Sequence, residues 1–244
     1  MREVFKRVVA RQLAGLALAG LSVIPLLLLG ADATSARKND ILLGDVRVVD
    51  GDTIVLGETR IRLEGIDAPE TTQSCGRRFV GYWRCGEEAT RHLVHLIGKQ
   101  PVRCEDLGLD KYGRTLGRCF VGAMNLNAEM VRSGYAWAFV RYSKSYVPQE
   151  AEAKKALAGI WQGSAMPAWD YRARSWAAAE VQALGGCTIK GNVTNGGRIY
   201  HMPWSPWYEK VQMDEGGRGA AKGKRWFCSE DEAVAAGWRP ALTR

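Results

Sequence analysis

Between Val48 and Glu70 the chain reads VVDGDTIVLGETRIRLEGIDAPE, which sets Asp50, Asp52, Asp67 and Glu70 around two short apolar runs with Arg62 between them. Clustered carboxylates repel one another unless a cation lies between them. Hard oxygen ligands of this kind suit calcium first, then magnesium or manganese. Arg62, and Arg114 in DKYGR, each present a planar fork of donors that matches a phosphate and stays charged at any relevant pH. A cation, a carboxylate base and two arginines are the parts needed to hydrolyse a phosphodiester. The cation and arginines stabilise charge on the phosphoryl oxygens, while Glu70 orients or deprotonates water. The plainer reading of the same letters is a charged Asp-Gly turn with Glu70 capping something local.

Local elements must bring these groups together. TIVL and TRIRLEGI read as strands joined through Gly57-Glu58, a two-residue hairpin connection. In the second strand Ile61 and Leu63 point one way and Arg60, Arg62 and Glu64 the other. Asp67 falls on the opposite phase, so Gly65 is expected to host a bulge that re-aims it. Asp50 reads as the turn's own residue rather than a ligand. EEATRHLVHLIG has Ala89, Leu93, Leu96 and Ile97 at helical spacing and ends in glycine. Two further strands, PVRCEDL and RTLGRCFV, then two more helices, NLNAEMVRSG and PQEAEAKKALAGIW, complete an α+β order.

The 244 residues carry a formal charge of +8, which makes a polyanion such as nucleic acid, or an anionic membrane surface, a fitting partner. Residues 1–36 place four basic residues before an uncharged run from Leu13 to Gly30 and then small residues, the order of an export signal, with an uncleaved anchor as the alternative. Export to a periplasmic or secreted location follows. The six cysteines then read as disulfides, most economically Cys75 with Cys85, Cys104 with Cys119 and Cys187 with Cys228. A zinc site is the alternative, although no C-x-x-C knuckle supports it. The expected domains are 42–170, a helical linker at 171–186, and a small Gly-rich aromatic module at 187–240.

In order, VVDGDTIVL, IRLEGIDAPE, LDKYGRTLG, NAEMVRSGYA and EAEAKKALAGIW resemble the motifs of the staphylococcal nuclease-like (thermonuclease) family, over roughly Asp45 to Trp161. The resemblance implies a five-stranded OB-type β-barrel with packed helices and a calcium-dependent endonuclease that cleaves DNA and RNA, in single-stranded or flexible form. It implies Arg62, Glu70 and Arg114 as catalytic residues. Asp52 and Asp67 would bind calcium together with the backbone carbonyl of Ala68, which stands where threonine is common. Lys111 and Tyr112 match positions near the nucleotide's phosphate. Tyr142 matches one of two aromatic positions flanking the base, with Val140 at the other. Between Glu70 and Glu87 the chain departs, because TTQSCGRRFVGYWRCG is longer and holds the first cysteine pair.

The tail resembles a small module appended to exported nucleases of this family. Trp204, Trp207, Tyr208 and Trp226, with Lys210, Lys222, Lys224 and Arg225, read either as a basic stacking surface or as the core of a module stapled by Cys187 and Cys228. No protein partner is implied, and the membrane only through an uncut N-terminal segment. The rival functions are an inactive nucleic-acid-binding module and an envelope or exopolysaccharide-associated accessory protein.

Overall fold

The computed structural model describes residues 41–183, 186–213 and 223–241. The N-terminal signal or anchor expected at 1–36, and Lys222 of the basic tail set, lie outside them. Strands β1 (Ile41–Gly44), β2 (Val46–Asp50), β3 (Thr53–Leu56) and β4 (Thr59–Leu63) open the fold. β3 and β4 form the expected hairpin, with Leu56 opposite Thr59 and Thr53 opposite Arg62. Ile61 and Leu63 are fully buried, which commits Arg62 to the other face. At Gly65, whose φ is +76°, the chain turns out of the ladder rather than forming a bulge within it. The next strand, β5 (Ile66–Asp67), pairs with a later one, Trp137–Ala138, so Asp67 is re-aimed as expected but by a change of sheet.

A small hairpin, β6 (Cys75–Gly76) and β7 (Tyr82–Trp83), precedes helix α1 (Cys85–Ile97). Ala89, Leu93 and Ile97 of α1 are buried at the predicted spacing. Then come β8 (Val102–Leu109), β9 (Thr115–Val121), β10 (Met124–Asn125) and α2 (Leu126–Arg132). The Asn125 side chain caps α2 by accepting from the Ala128 amide. The main sheet has seven strands in the order β1-β8-β9-β4-β3-β2, with β10 beside β9. Its β4–β9 ladder is parallel and the others antiparallel. A large sheet with packed helices is the expected α+β arrangement, and among the described residues no ladder joins its edges β1 and β2 into a closed barrel. The core between sheet and helices gathers Ile54, Ile61, Leu63, Ile66, Leu93, Leu126 and Met130. Each such buried side chain contributes about 1.5–3 kcal/mol.

Strand β11 (Trp137–Ala138), helix α3 (Val147–Ala156), a 3-10 turn (Gly159–Gln162) and helix α4 (Ala168–Gln182) follow. A second cluster, Cys75, Trp83, Cys85, Trp137, Ile160 and Ala168, fixes the start of α4. Beyond it lie β12 (Ile189–Thr194), β13 (Gly197–His201), β14 (Arg225–Phe227), α5 (Glu230–Ala235) and β15 (Arg239–Pro240). These strands make a separate sheet ordered β14-β12-β13-β15 over a core of Ile189, Tyr200, Phe227, Ala233 and Trp238. Of the aromatic residues singled out in the tail, Tyr208 is buried, whereas Trp207 stays partly exposed with Lys210 over its ring.

All six cysteines are paired, Cys75–Cys85, Cys104–Cys119 and Cys187–Cys228, which leaves none to bind zinc. Cys104 and Cys119 are directly opposite on β8 and β9, so the sheet register itself selects that pair. Among the described residues no helix is long and apolar enough to cross a membrane.

Candidate active site

The acids and Arg62 meet where the β2–β3 turn and the Gly65 turn come side by side. Asp52 Oδ1 accepts from Arg62 Nη1 at 2.6 Å and from the Thr53 hydroxyl, while its Oδ2 accepts from the Ala68 amide at 3.0 Å. Arg62 Nη2 donates to Asp67 Oδ1 at 2.8 Å, so one guanidinium bridges both aspartates. Asp67 is fully buried and Asp52 nearly so. Asp50 stands apart from this bridge: its carboxylate accepts the Asp52 amide, as a turn residue's does.

The position of Asp67 is set by Asn127. This buried side chain accepts from the Cys119 amide and donates to the carbonyls of Glu64 and Gly117. It thereby pins the backbone immediately before the Gly65 turn.

Glu70 sits on a loop held from three sides. Its amide donates to Gln73 Oε1, its carbonyl accepts from the Gln73 amide, and Gln73 donates in turn to the Met166 carbonyl. The Cys75–Cys85 disulfide closes the other side of that loop. Gly86 packs so close that a Cβ there would meet the Glu70 carbonyl oxygen at 1.7 Å.

Arg172 of α4 is a member of the cluster that sequence reasoning missed. Its Nη1 donates to Glu70 Oε1 at 2.6 Å and to Asp67 Oδ1 at 3.1 Å, and its Nη2 to Asp67 Oδ2 at 2.8 Å. No local signal marks it, since YRARSW is one basic patch in a chain rich in them.

Arg114 occupies the β8–β9 loop and does not join the bonded cluster. Its Nε donates to Asp110 Oδ2 at 2.7 Å, and Asp110 also accepts the amides of Tyr112 and Arg114. Among the described residues its Nη groups form no hydrogen bond, and its charge still reaches Asp52. Lys111 and Arg114 flank the Tyr112 ring, their charges 4.5 and 5.2 Å from its centre. Tyr142 is exposed and packs against Phe139, which stacks on Trp169. Val140 is also exposed, and nothing aromatic replaces it at that position.

Burial sets the electrostatics. It raises the Glu70 carboxyl to about 7, against the pull of Arg172. Burial and the neighbouring Asp52 raise Asp50 to about 6. Burial pushes Asp52 up as well, but Arg62, the Ala68 amide, Arg172 and Arg114 outweigh it and hold Asp52 below the usual range. Buried against these acids, Arg62 and Arg172 are held more firmly protonated than usual.

Carboxylate oxygens are the donors that a hard divalent cation takes, and most of their acceptor directions are already occupied. A carboxylate offers about four acceptor directions. Asp52 uses three, for Thr53, Arg62 and Ala68, and Asp67 uses three, for Arg62 and twice for Arg172. One direction remains on each buried aspartate. The arrangement is nevertheless closed on guanidiniums, and among the described residues no group of three or more His, Cys, Asp or Glu is gathered to hold a metal.

Two histidines outside this cluster are packing residues. His92 stacks on Tyr135, with ring centres 4.2 Å apart, and His201 is buried in β13. The cysteine-bearing loop that departs from the family pattern carries Phe79, Val80 and Tyr82 exposed at the hairpin tip, with Arg78 over the Phe79 ring.

Residues 60–163 match the family model described as staphylococcal nuclease homologue, a span that contains Arg62, Asp67, Glu70 and Arg114 but neither Asp52 nor Arg172. The chain is 35% identical over 144 residues to a succinoglycan biosynthesis protein, ExoI, of Rhizobium meliloti, covering 58% of this chain and 74% of that protein. It is 36% identical over 148 residues to a micrococcal nuclease of Shigella flexneri, covering 53% and 79% respectively. A probable staphylococcal-like nuclease of rice, CAN3, is 34% identical over 124 residues, 50% of this chain but 30% of that longer protein. Identity of this order across most of the length of two bacterial proteins reflects shared descent, and the chain therefore belongs to the family of staphylococcal nuclease homologues.

Proposed function

We propose that the protein is an exported, calcium-dependent nuclease that hydrolyses phosphodiester bonds of DNA and RNA. The observation that carries this reading is the buried Asp52–Arg62–Asp67 bridge with Glu70 tied to Asp67 through Arg172. Three disulfides suit an oxidising compartment outside the cytoplasm. The net charge of +8 suits a polyanionic substrate.

Asp52 and Asp67, with the Ala68 carbonyl, would hold the cation through their remaining acceptor directions. When bound, calcium supplies positive charge to the phosphoryl oxygens as bond order shifts. Glu70 accepts the proton of the attacking water at its carboxylate as the water oxygen bonds phosphorus. The bond from phosphorus to the leaving oxygen breaks, that oxygen takes up a proton from solvent, and Glu70 returns its own proton to solvent. Arg62 and the Nη groups of Arg114, which form no hydrogen bond among the described residues, face the developing negative charge. Lys111 and Tyr112 line the adjacent loop, and Tyr142 offers an exposed ring to a base of a single-stranded or flexible substrate.

A second reading rests on the rhizobial relative's name, an accessory role in exopolysaccharide synthesis in which the tail binds glycan. The test is incubation of the purified, disulfide-intact protein with labelled single-stranded DNA and RNA, in calcium or in chelator. Cleavage of both in calcium alone supports the nuclease. Absence of cleavage, together with retention of the tail on glycan, supports the accessory role.

A further inference from the structure

The family segment ends at residue 163, yet the active-site acids are completed by a side chain beyond it. Helix α4 is anchored at its start and at its middle. Ala168 is buried among Cys75, Trp83 and Trp137, and Trp176 packs against the tail core. Between these anchors the Tyr171 hydroxyl lies 3.0 Å from the Thr72 hydroxyl, which donates to the Trp204 carbonyl. Trp169 stacks on Phe139 from the same helix. Arg172 therefore reaches the acids from a rigid support rather than from a swinging arm.

Among the described residues Arg172 supplies the hydrogen bond to the Glu70 carboxylate, and it grips both oxygens of Asp67. Its guanidinium spans the two residues and sets the distance between them.

We propose that Arg172 is a positioning residue of the nuclease reaction, contributed by the C-terminal extension, which holds Glu70 and Asp67 in register for attack on phosphorus. This rests on the nuclease reading above. The experiment compares the full protein with Arg172→Ala and Arg172→Lys on labelled single-stranded DNA in calcium. Each is also measured for thermal unfolding and for DNA binding in chelator. Because displacement of a reacting group by about 1 Å can cost about 100-fold, kcat in Arg172→Ala is expected to fall at least about 10-fold while KM and DNA binding stay within about threefold. Added methylguanidinium restores part of kcat in the alanine variant. If that variant does not fold, Arg172→Lys decides, since one ammonium cannot grip both acids and its kcat falls likewise. Unchanged kcat in a folded variant, a gain in kcat, or a loss that methylguanidinium leaves untouched overturns the proposal while the nuclease reading stands. A parent protein that does not cleave overturns both.

Discussion

Arg172 and Asp67 form a two-pronged ion pair, Nη1 to Oδ1 at 3.1 Å and Nη2 to Oδ2 at 2.8 Å, between residues 105 apart in the chain. Arg62 shares the same Asp67 Oδ1 and carries the link on to Asp52. The site is thus an alternating row of carboxylates and guanidiniums, and its architecture can be tested where single side chains support the row.

Asn127 is one such support. Asn127→Ala leaves the Cys119 amide and the Glu64 carbonyl without this partner, while the Gly117 carbonyl keeps the Glu64 amide. At about 1–3 kcal/mol for each stranded group, less some relaxation, the variant is expected to lose about 3 kcal/mol of stability. Urea unfolding measures it, and a loss below about 1 kcal/mol would show that the Gly65 turn is held by other means.

Gly86 is a second support, for a different reason. A Cβ at this position meets the Glu70 carbonyl oxygen at 1.7 Å, so Gly86→Ala must displace the Glu70 loop or α1 and disturb the placing of Glu70. Cleavage is expected to fall at least about 10-fold in protein that still folds. Gly81→Ala provides a comparison, because a Cβ there meets nothing within 4 Å although φ is +90°. It is expected to affect stability modestly and cleavage little.

Disulfide removal should act according to loop length and place. Cys75 and Cys85 are 10 residues apart and Cys187 and Cys228 are 41 apart. Chain-entropy reasoning gives about 3 and 4 kcal/mol for the two bonds. The paired serine variant at 75 and 85 is expected to lose cleavage as well as stability, because the bond borders the Glu70 loop. The pair at 187 and 228 is expected to lose stability chiefly in the tail. Equal effects on cleavage would contradict the placement of the first bond at the site.

The tail also carries a pH dependence. Burial, with Lys190 nearby, holds the His201 imidazole below its usual value, so folding favours its neutral form. A depressed folded value gives stability that is present above the unfolded value of about 6.5 and is lost as pH falls through the lower folded value. His201→Gln removes this contribution. The parent is expected to lose more stability than the variant on going from pH 7 to pH 5, and parallel curves would refute it.

Much of this geometry is legible in the sequence. Period-two burial of Ile61 and Leu63 places Arg62 on the polar face, and the structure shows both residues buried. Helical spacing of Ala89, Leu93 and Ile97 announces α1. The Gly65 turn is legible as a break in phase, although a bulge and a change of sheet leave the same mark in one sequence. The edge strand β1 and the short β10 escape because their few residues carry little alternation of their own. Arg114 shows a finer limit: nothing in DKYGR marks Asp110 as its partner until the turn closes around both. Arg172 is legible only in space, since its partners are more than one hundred residues upstream and helix packing alone brings it to them.

The most direct measurement is the single-turnover rate of cleavage of labelled single-stranded DNA, at saturating calcium, by the parent and by Glu70→Gln and Arg62→Ala. If Glu70 and Arg62 act as proposed, removal of either is expected to lower the rate about 100-fold or more. Equal rates in parent and variants, or a parent whose rate is the same in chelator, would contradict the assignment of this cluster as the active site.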